Sequence, residues 1–264
     1  MKNALIGFSG FVGNTLLKQA SFDALYRSTN IHEIKDKVFD IVVCAAAPAQ
    51  KWIANREPEA DKQNIEILMG YIKTVQCKTF ILISTVDVFN RPIAVNEDTA
   101  IVEEGLHPYG LHRRYLEKCV ASHFPHHLIV RLPGLAGPGL RKNVIFDFLN
   151  NNNLHSIESR GIFQFYPMVN LWYDICTALQ ADLRLVHLTA APVTVSDVAR
   201  MGFGRSFEQT LAGTPAHYDM QTRYASVFGI EGLYQYSVRE TIQAIRAYAQ
   251  SEPLTLKTEP ETIL

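Results

Sequence analysis

The sequence predicts an α/β fold, a doubly wound parallel sheet followed by a smaller C-terminal lobe, and three observations carry that prediction. Met1 to Ile6 reads as a short apolar strand that runs into Gly7-Phe8-Ser9-Gly10-Phe11-Val12-Gly13, with the helix-like Asn14 to Gln19 behind it. Phe39 to Pro48 and Thr79 to Ile83 are continuous apolar runs rich in β-branched residues, as in strands buried on both faces. Between them Glu57 to Val75 carries Ile65, Leu68, Met69 and Ile72 at helical spacing, so strands alternate with helices. Strand, glycine turn and helix in that order form the opening unit of a Rossmann-type sheet.

The chain of 264 residues is long enough for one large domain, or a large one with a small partner. A hydrophobic share of 47%, a charged share of 19% and a mean hydropathy near zero are those of a globular enzyme. A net charge of -1 argues against nucleic acid or an anionic membrane as a partner held by bulk electrostatics. No apolar run reaches the length of a membrane span, and the first strand is interrupted by glycine too soon for a signal peptide, so a cytoplasmic location is expected. The four cysteines, Cys44, Cys77, Cys119 and Cys176, are scattered and predict reduced, mostly buried thiols. Among nine histidines, His123, His126 and His127 lie close together but lack an acidic or thiol partner at ligand spacing, and no metal is expected.

The glycine turn is the first candidate site. Gly7, Gly10 and Gly13, with Phe11 and Val12 at the helix start, suit a pyrophosphate: the backbone turns tightly with no Cβ in the way, and the first helical N–H groups face the negative charge. Ala24 to Tyr26 reads as the second strand. About 20 residues past the turn, where a carboxylate would grip the ribose 2′-hydroxyl of NAD, stands Arg27, followed by Ser28 and Thr29. A cation with hydroxyls suits a 2′-phosphate, which favours NADP(H) over NAD(H), with Asp23 close enough to keep NAD in play. Ala45, Ala46 and Ala47 end the Phe39 to Pro48 run and leave room for an adenine or ribose, or simply for close helix packing. Asn64 on the long helix is a further residue that could face the cofactor.

Thr79 to Ile83 ends in Ser84-Thr85-Val86-Asp87, hydroxyls and a carboxylate at the carboxyl end of a strand, where ligands bind open α/β sheets. After a turn at Asn90 to Pro92 and an acidic loop at Glu97-Asp98, Pro108 starts a helix that sets Tyr109 and Arg113 one turn apart on one face. A cation near a phenol favours the phenolate and lets the phenol act as acid or base. Leu128 to Leu132 is the next strand, and Pro133 to Gly139 is a run of helix and strand breakers where the chain leaves the sheet. Asn143 to Asn153 reads as a short helix ending in an asparagine turn, Tyr173 to Gln180 as a helix and Arg184 to Thr189 as a returning strand. Ser196 to Met201 and Val238 to Tyr248 are helical in pattern around a polar stretch from Gly213 to Gly232, and the tail from Ser251 is expected to fray.

Together these motifs resemble the extended short-chain dehydrogenase/reductase family, the NAD-dependent epimerase/dehydratases, which includes nucleotide-sugar epimerases, dehydratases and deoxysugar reductases. Gly7, Gly10 and Gly13 fit G-x-x-G-x-x-G, and Ser84-Thr85 with Val88-Phe89 fits S-[ST]-x-x-V-[YF]. Glu97 fits the acidic loop, Tyr109-Gly110 with Arg113 and Glu117 falls on Y-G-x-x-K-x-x-x-E, and Arg131 with Gly137-Pro138 falls on the strand and loop before the substrate lobe. The resemblance implies an NAD(P)-dependent reductase, epimerase or dehydratase acting on a nucleotide-linked or other polar sugar. Tyr109 would be the acid/base, Thr85 would bond the same oxygen, and residue 113 would hold the nicotinamide ribose and depress the tyrosine pKa. The family pattern also implies a dinucleotide-binding domain of residues 1–139 with about 167–189, a substrate lobe of 140–166 with about 190–264, and a homodimer. Asp87, Asn143 and Gln164 are the candidate substrate contacts, with Arg141 and Arg223 as further lobe residues.

The departure is Arg113, where the family has lysine. Arginine keeps the charge, but its planar fork cannot reproduce an ammonium set between a phenol and a ribose diol. Arg114 points about 100° away on the helix and does not replace it. The alternative is therefore a catalytically degenerate NAD(P)-binding sensor or assembly protein.

Overall fold

The structure is a computed structural model that describes residues 2–253. Six parallel strands form the central sheet: β1 (Asn3–Ile6), β2 (Ala24–Tyr26), β3 (Val38–Cys44), β4 (Gln76–Thr85), β5 (His127–Leu132) and β6 (Leu185–His187). Their spatial order is β2-β1-β3-β4-β5-β6. The order reverses between β1 and β3, and such a switch point leaves a crevice at the carboxyl ends of those strands. One strand lies beyond β1, not two, because residues 27–37 hold only a single turn of 3₁₀ helix, Ile31–Ile34, before β3 begins.

Side-chain alternation makes the sheet doubly wound. Ala4, Ile6, Val42, Cys44, Phe80, Leu82 and Ile129 share a core with Ile65, Leu68 and Ile72 of helix α3 (Pro58–Ile72) and Leu116 and Val120 of α4 (Pro108–His123). The alternate residues Leu5, Val43, Ile81, Ile83, Leu128 and Val130 meet Leu16 of α1 (Phe11–Gln19) and Leu171, Ile175 and Ala178 of α6 (Leu171–Gln180) on the other face. A further helix, α2 (Lys51–Arg56), which the sequence reading did not assign, precedes α3, and Pro58 starts α3 at its first position.

A third core lies outside the sheet. Leu140, with Ile145 and Phe148 of α5 (Val144–Asn150), packs on Val195 of α7 (Val195–Asp197), on Val198 and Ala199 of the π-helical turn that follows, and on Ile242 and Ile245 of α8 (Val238–Ser251). Asn151 and Asn153 adopt left-handed φ values of 48° and 49°, so the asparagine run is a turn. Three two-stranded pairings escaped the sequence reading because each strand is only two or three residues long: Ile93–Val95 with Asp219–Met220, Gly134–Ala136 with Phe165–Pro167, and Ile162–Phe163 with Val193–Thr194. Of the thiols only Cys44 is buried; Cys77, Cys119 and Cys176 are half-exposed, which corrects the expectation that most would be buried. Most of the tail expected to fray, residues 254–264, lies outside the described residues.

The glycine turn is held by close approaches. Gly7 has φ +88°, and a Cβ there would stand 2.5 Å from the Ala45 carbonyl oxygen; a Cβ on Gly13 would stand 2.1 Å from the Gly7 carbonyl oxygen. Gly7 thus lets β1 meet the end of β3, and Gly13 lets α1 press onto the turn. At Gly10, the N-cap of α1, a Cβ would meet nothing nearer than 3.5 Å, and the first turn of the helix carries no acidic residue.

Under the sheet's carboxyl edge lies a buried polar cluster. Glu117 of α4 is fully buried and accepts from Ser84 at 2.6 Å, from Arg131 at 2.9 and 2.8 Å, and from Arg114 at 3.0 Å. Burial would raise its pKa, but the bonds and charge of Arg131 with those of Ser84 and Arg114 hold it below the usual value. His187 at the end of β6 receives Arg131 on Nε2 at 3.2 Å and gives Nδ1–H to the Gln221 carbonyl at 2.9 Å. Burial pushes its pKa down to about 4, with the Arg131 charge adding to the fall and Glu97 opposing it.

Replacing Gly13 with alanine forces α1 off the turn, and overpacking of this kind costs about 1–3 kcal/mol, read as a lower denaturant midpoint. The Arg131→Met variant removes the two-pronged partner of the buried Glu117 and leaves it only Arg114 as a cation, and it is expected to lose about 3 kcal/mol in the same measurement. For pH the sign follows from His187: the unfolded imidazole, at about 6.5, binds a proton that the folded one refuses until about 4. Stability from this group is present above about pH 6.5 and lost as pH falls toward 4, so the melting temperature should drop across that window, less steeply in His187→Asn.

Candidate active site

The crevice between β1 and β3 is bounded by the glycine turn, by the half-exposed Ala45, Ala46 and Ala47, and by the end of β2. Gly7 N–H donates to the Tyr26 carbonyl at 2.7 Å, which brings Arg27 beside the turn. Arg27 is exposed and lies 5.9 Å from the Phe8 ring centroid; its Nε–H donates to Thr29 at 3.0 Å, and among the described residues no carboxylate pairs with it. Ser28 is exposed next to it. Asp23 sits at the opposite, amino end of the strand, where it accepts the Asn3 N–H at 2.7 Å. Asn64 is exposed on α3.

At the carboxyl end of β4 the Thr85 hydroxyl caps a turn of 3₁₀ helix, Val86–Val88, by accepting the Asp87 N–H at 3.2 Å. Helix α4 starts at His107, whose Nδ1 accepts the Gly110 N–H at 3.1 Å, with Pro108 at the first position. A Cβ on Gly110 would lie 2.0 Å from the Asp87 carbonyl oxygen, so the glycine after the tyrosine lets α4 touch the turn that carries Thr85. The Asn55 side chain accepts the Tyr109 N–H at 3.0 Å and fixes the start of the helix from α2. Tyr109 is 9% exposed. Burial raises its pKa; the Arg113 charge opposes that, Asp87 adds to it, and a hydrogen bond with Thr85 and the charge of Lys51 pull it down.

Arg113 does not stand free in the crevice. It is 2% exposed, its guanidinium lies 4.0 Å from the Tyr109 ring centroid, and its fork closes on the carboxylate of Asp61, with the second contact at 2.9 Å. It also donates to the Pro48 carbonyl and to the Tyr109 carbonyl, while its Nε has no partner. His112 shares Asp61 at 2.7 Å. Arg113 therefore delivers charge beside the tyrosine, while both terminal nitrogens of its fork are taken by Asp61 and backbone carbonyls and only its buried Nε is left without a partner. Asp61 was missed by the sequence reading although a signal existed: it falls on the apolar stripe with Ile65, Leu68 and Ile72.

A second set of side chains gathers around Asp87. Lys51 Nζ donates to Asp87 at 2.7 Å and lies 3.2 Å from the Tyr218 hydroxyl, which itself lies 3.2 Å from Asp87. His107 Nε2 is 4.0 Å from the same carboxylate, and Lys142 reaches across from the lobe to the Ala49 carbonyl. Tyr218 also lines a hollow of about 570 Å³ with Arg91, Ile162 and His217. Asp87 was foreseen here; Lys51, His107, Lys142 and Tyr218 were not, because they come from four separate segments.

Three expected ligands have other work. Ser84 lies on the face of β4 under α4, so its hydroxyl turns to Glu117 and away from the crevice. Asn143 caps α5: its Oδ1 accepts the Ile145 N–H at 2.9 Å and its Nδ2–H₂ donates to the Leu135 carbonyl at 3.0 Å. Gln164 is 1% exposed and spends its amide on Thr189, Ala190 and Met220. Of the further lobe residues, Arg223 is paired with Asp98 and Arg141 is exposed. Among the described residues no His, Cys, Asp and Glu side chains group so as to hold a metal ion, and no helix is long and apolar enough to cross a membrane.

No protein-family model and no curated protein matches the sequence. Solved structures do match. A UDP-glucuronic acid 4-epimerase from Bacillus cereus, solved with NAD, superposes with a TM-score of 0.68 at 17% identity over 95% of this chain and 97% of its own. A UDP-N-acetylglucosamine 4-epimerase from Methanobrevibacter ruminantium M1, solved with UDP-N-acetylmuramic acid, gives 0.72 at 13% over 94% and 97%. A dTDP-4-dehydrorhamnose reductase from Clostridium acetobutylicum gives 0.70 at 16% over 95% and 99%. These enzymes are extended short-chain dehydrogenases/reductases, the family that the motifs of this sequence resemble, and the chain has their fold.

Proposed function

We propose that the protein binds NADP(H) and interconverts alcohol and ketone on a nucleotide-linked or other polar sugar, in reduction, epimerisation or dehydration, with Tyr109 as the acid/base. The observation that carries this reading is the packing of the start of α4, which bears Tyr109, against the turn that Thr85 caps, through the close contact of Gly110 on the Asp87 carbonyl at the carboxyl edge of the sheet that also bears the glycine turn. Support for a dinucleotide comes from the turn itself: Gly7 and Gly13 let the backbone close tightly on itself, a Cβ at Gly10 would meet nothing nearer than 3.5 Å, and α1 starts without an acidic residue. NADP(H) is favoured by the exposed Arg27 and Ser28 at the end of β2, and Asp23, the residue that kept NAD in play, is engaged at the other end of that strand. A bound nicotinamide supplies hydride transfer. The chain's own part is to hold the sugar oxygen against Thr85 and Tyr109, and to move a proton between that oxygen and the Tyr109 hydroxyl. Asp87 and Tyr218 face the same space and would meet the sugar's other hydroxyls. The homodimer belongs to this proposal as well, through the outer faces of α3 and α4, where Ile67 and Tyr115 are exposed.

One observation favours a second reading. Arg113 is committed to Asp61, so the ribose loses a family contact, and a dinucleotide-binding protein without turnover would tolerate that.

Fluorescence titration with NADPH and NADH separates these readings from a scaffold without a cofactor. NADPH is expected to bind more tightly, and Arg27→Ala to weaken NADPH about tenfold, the loss of one charge-assisted contact, while leaving NADH unchanged. Binding of neither nucleotide overturns the proposal. On an identified sugar substrate, Tyr109→Phe should lower kcat by about 10²-fold or more with NADPH affinity retained; unchanged turnover would remove Tyr109 from its role.

A further inference from the structure

Two cations approach Tyr109, and they differ in what they can do. Arg113 is buried, its charge is matched by Asp61 in a two-pronged pair, and it is an always-protonated group with a rigid fork. Lys51 is the first residue of α2, with a side chain 37% exposed, and its ammonium bonds Asp87 at 2.7 Å. Asp87 is the counterpart of that pair, 16% exposed, and it is joined to Thr85 twice: its N–H donates to the Thr85 hydroxyl at 3.2 Å, and Thr85 Oγ1 lies 3.5 Å from Asp87 Oδ2. The turn that carries Thr85 and Asp87 packs directly on the start of α4, where a Cβ on Gly110, the residue after Tyr109, would lie 2.0 Å from the Asp87 carbonyl oxygen. A polar path therefore runs Lys51, Asp87, Thr85 from α2 to the turn after β4, and that turn abuts the helix start that bears Tyr109.

The charge sum along this path matters. Tyr109 is already out of water, which disfavours its ionised form, and a lone carboxylate on the neighbouring turn would disfavour it further. The groups that face this region are Asp87 and Thr85 on the turn, His107 and Arg113 on α4, Asp61 on α3, Lys51 on α2, and Tyr218 and Lys142 from the lobe. Asp61 is offset by Arg113. Lys142 bonds a backbone carbonyl, and His107 lies 4.0 Å from Asp87 with its Nδ1 committed to a backbone N–H. Asp87 is offset at bonding distance by Lys51.

We propose that Lys51 is a positioning residue for Tyr109: its ammonium neutralises and orients Asp87, and so supplies from α2 the electrostatic balance that the resembled motif assigns to a lysine four residues after the tyrosine. This deepens, and rests on, the reading of Tyr109 as the acid/base. The exchange is chemically coherent. With arginine at 113 sealed into a buried pair, the more exposed of the two cations is an ammonium on another helix, paired with the turn on which the start of α4 packs. Tyr218 fixes its reach by touching both Lys51 and Asp87, and is itself held by stacking on Phe163 at 5.5 Å.

The test reads the tyrosine directly in the protein without cofactor. Near-ultraviolet difference absorbance, wild type minus Tyr109→Phe, isolates the ionisation of Tyr109 from that of the other tyrosines. Lys51→Met should move it upward by about one to three pH units, the range expected on removing an opposite charge nearby. Lys51→Arg should restore most of the wild-type value, and Asp87→Asn should move it downward. The Lys51→Met, Asp87→Asn double variant should return close to wild type, because charge and countercharge leave together. If Lys51→Met leaves the Tyr109 titration unchanged, or the double variant keeps the full upward shift of Lys51→Met, the proposal fails. Should Lys51→Met not fold, Asp87→Asn decides: no downward shift overturns the link. NADPH titration of the same variants keeps the two ideas apart. Retained NADPH affinity with an unmoved tyrosine sinks the role of Lys51 and leaves the proposed function standing. Absence of NADPH binding in the wild type sinks the proposed function, while the tyrosine titration still reads the Lys51 link.

Discussion

The carboxylate of Glu117 is the point on which the arrangement of the sheet edge depends. It is fully buried on α4, and it holds Ser84 of β4 and Arg131 of β5, while Arg131 reaches His187 at the end of β6. One anion thus sets the height of a helix over three strands. A hydrophobic contact would bury area but would not specify the slide of α4 along the sheet, because dispersion is not directional. Charge-assisted bonds with fork geometry do specify it, and buried pairs are costly to break from one side only. The start of α4, and with it Tyr109, is placed against Thr85 by that constraint together with the close contact of Gly110 on Asp87.

Around the tyrosine the charges come in matched pairs. Asp61 with Arg113 lies beneath, and Asp87 with Lys51 lies toward the exposed side. The first is sealed, 5% and 3% exposed at its side chains, and serves as a fixed element of the wall. The second is open enough to meet a ligand. The resembled family carries lysine where this chain has Arg113; here the buried guanidinium lies on α4 and the more exposed ammonium of Lys51 on α2.

The lobe is bound to the sheet by polar contacts that come from distant residues. Glu97 takes the N–H of His187, the Thr222 hydroxyl and the N–H of Arg223, and Gln164 knots the chain at Thr189, Ala190 and Met220. Asp174 of α6 receives the hydroxyls of Tyr166 and Tyr236 at 2.5 and 2.8 Å, and burial raises its pKa. These contacts explain why Gln164, polar and in the lobe, resembles a substrate ligand in the sequence while acting as a structural clamp. They also bring Tyr218 and Lys142 to the crevice from segments with no local motif.

The sequence by itself determined the features that are local or periodic. The apolar runs, the glycine spacing, the helix entry at Pro108 and the asparagine turn follow from backbone sterics and side-chain period, so the α/β sheet and the tight glycine turn were legible in it, whereas the joining of Thr85 with Tyr109 came only from the family resemblance. What only the tertiary structure decided is which polar groups meet. Arg113 finds Asp61, 52 positions away in the chain, Lys51 finds Asp87, 36 away, and Asn143 and Gln164 turn inward. Partner choice between distant charges depends on how helices cross and where a desolvated group can find its countercharge, and no single segment encodes that. The Arg113 substitution was therefore visible as a departure, but its consequence, a sealed cation and an ammonium reaching in from α2, follows from packing alone.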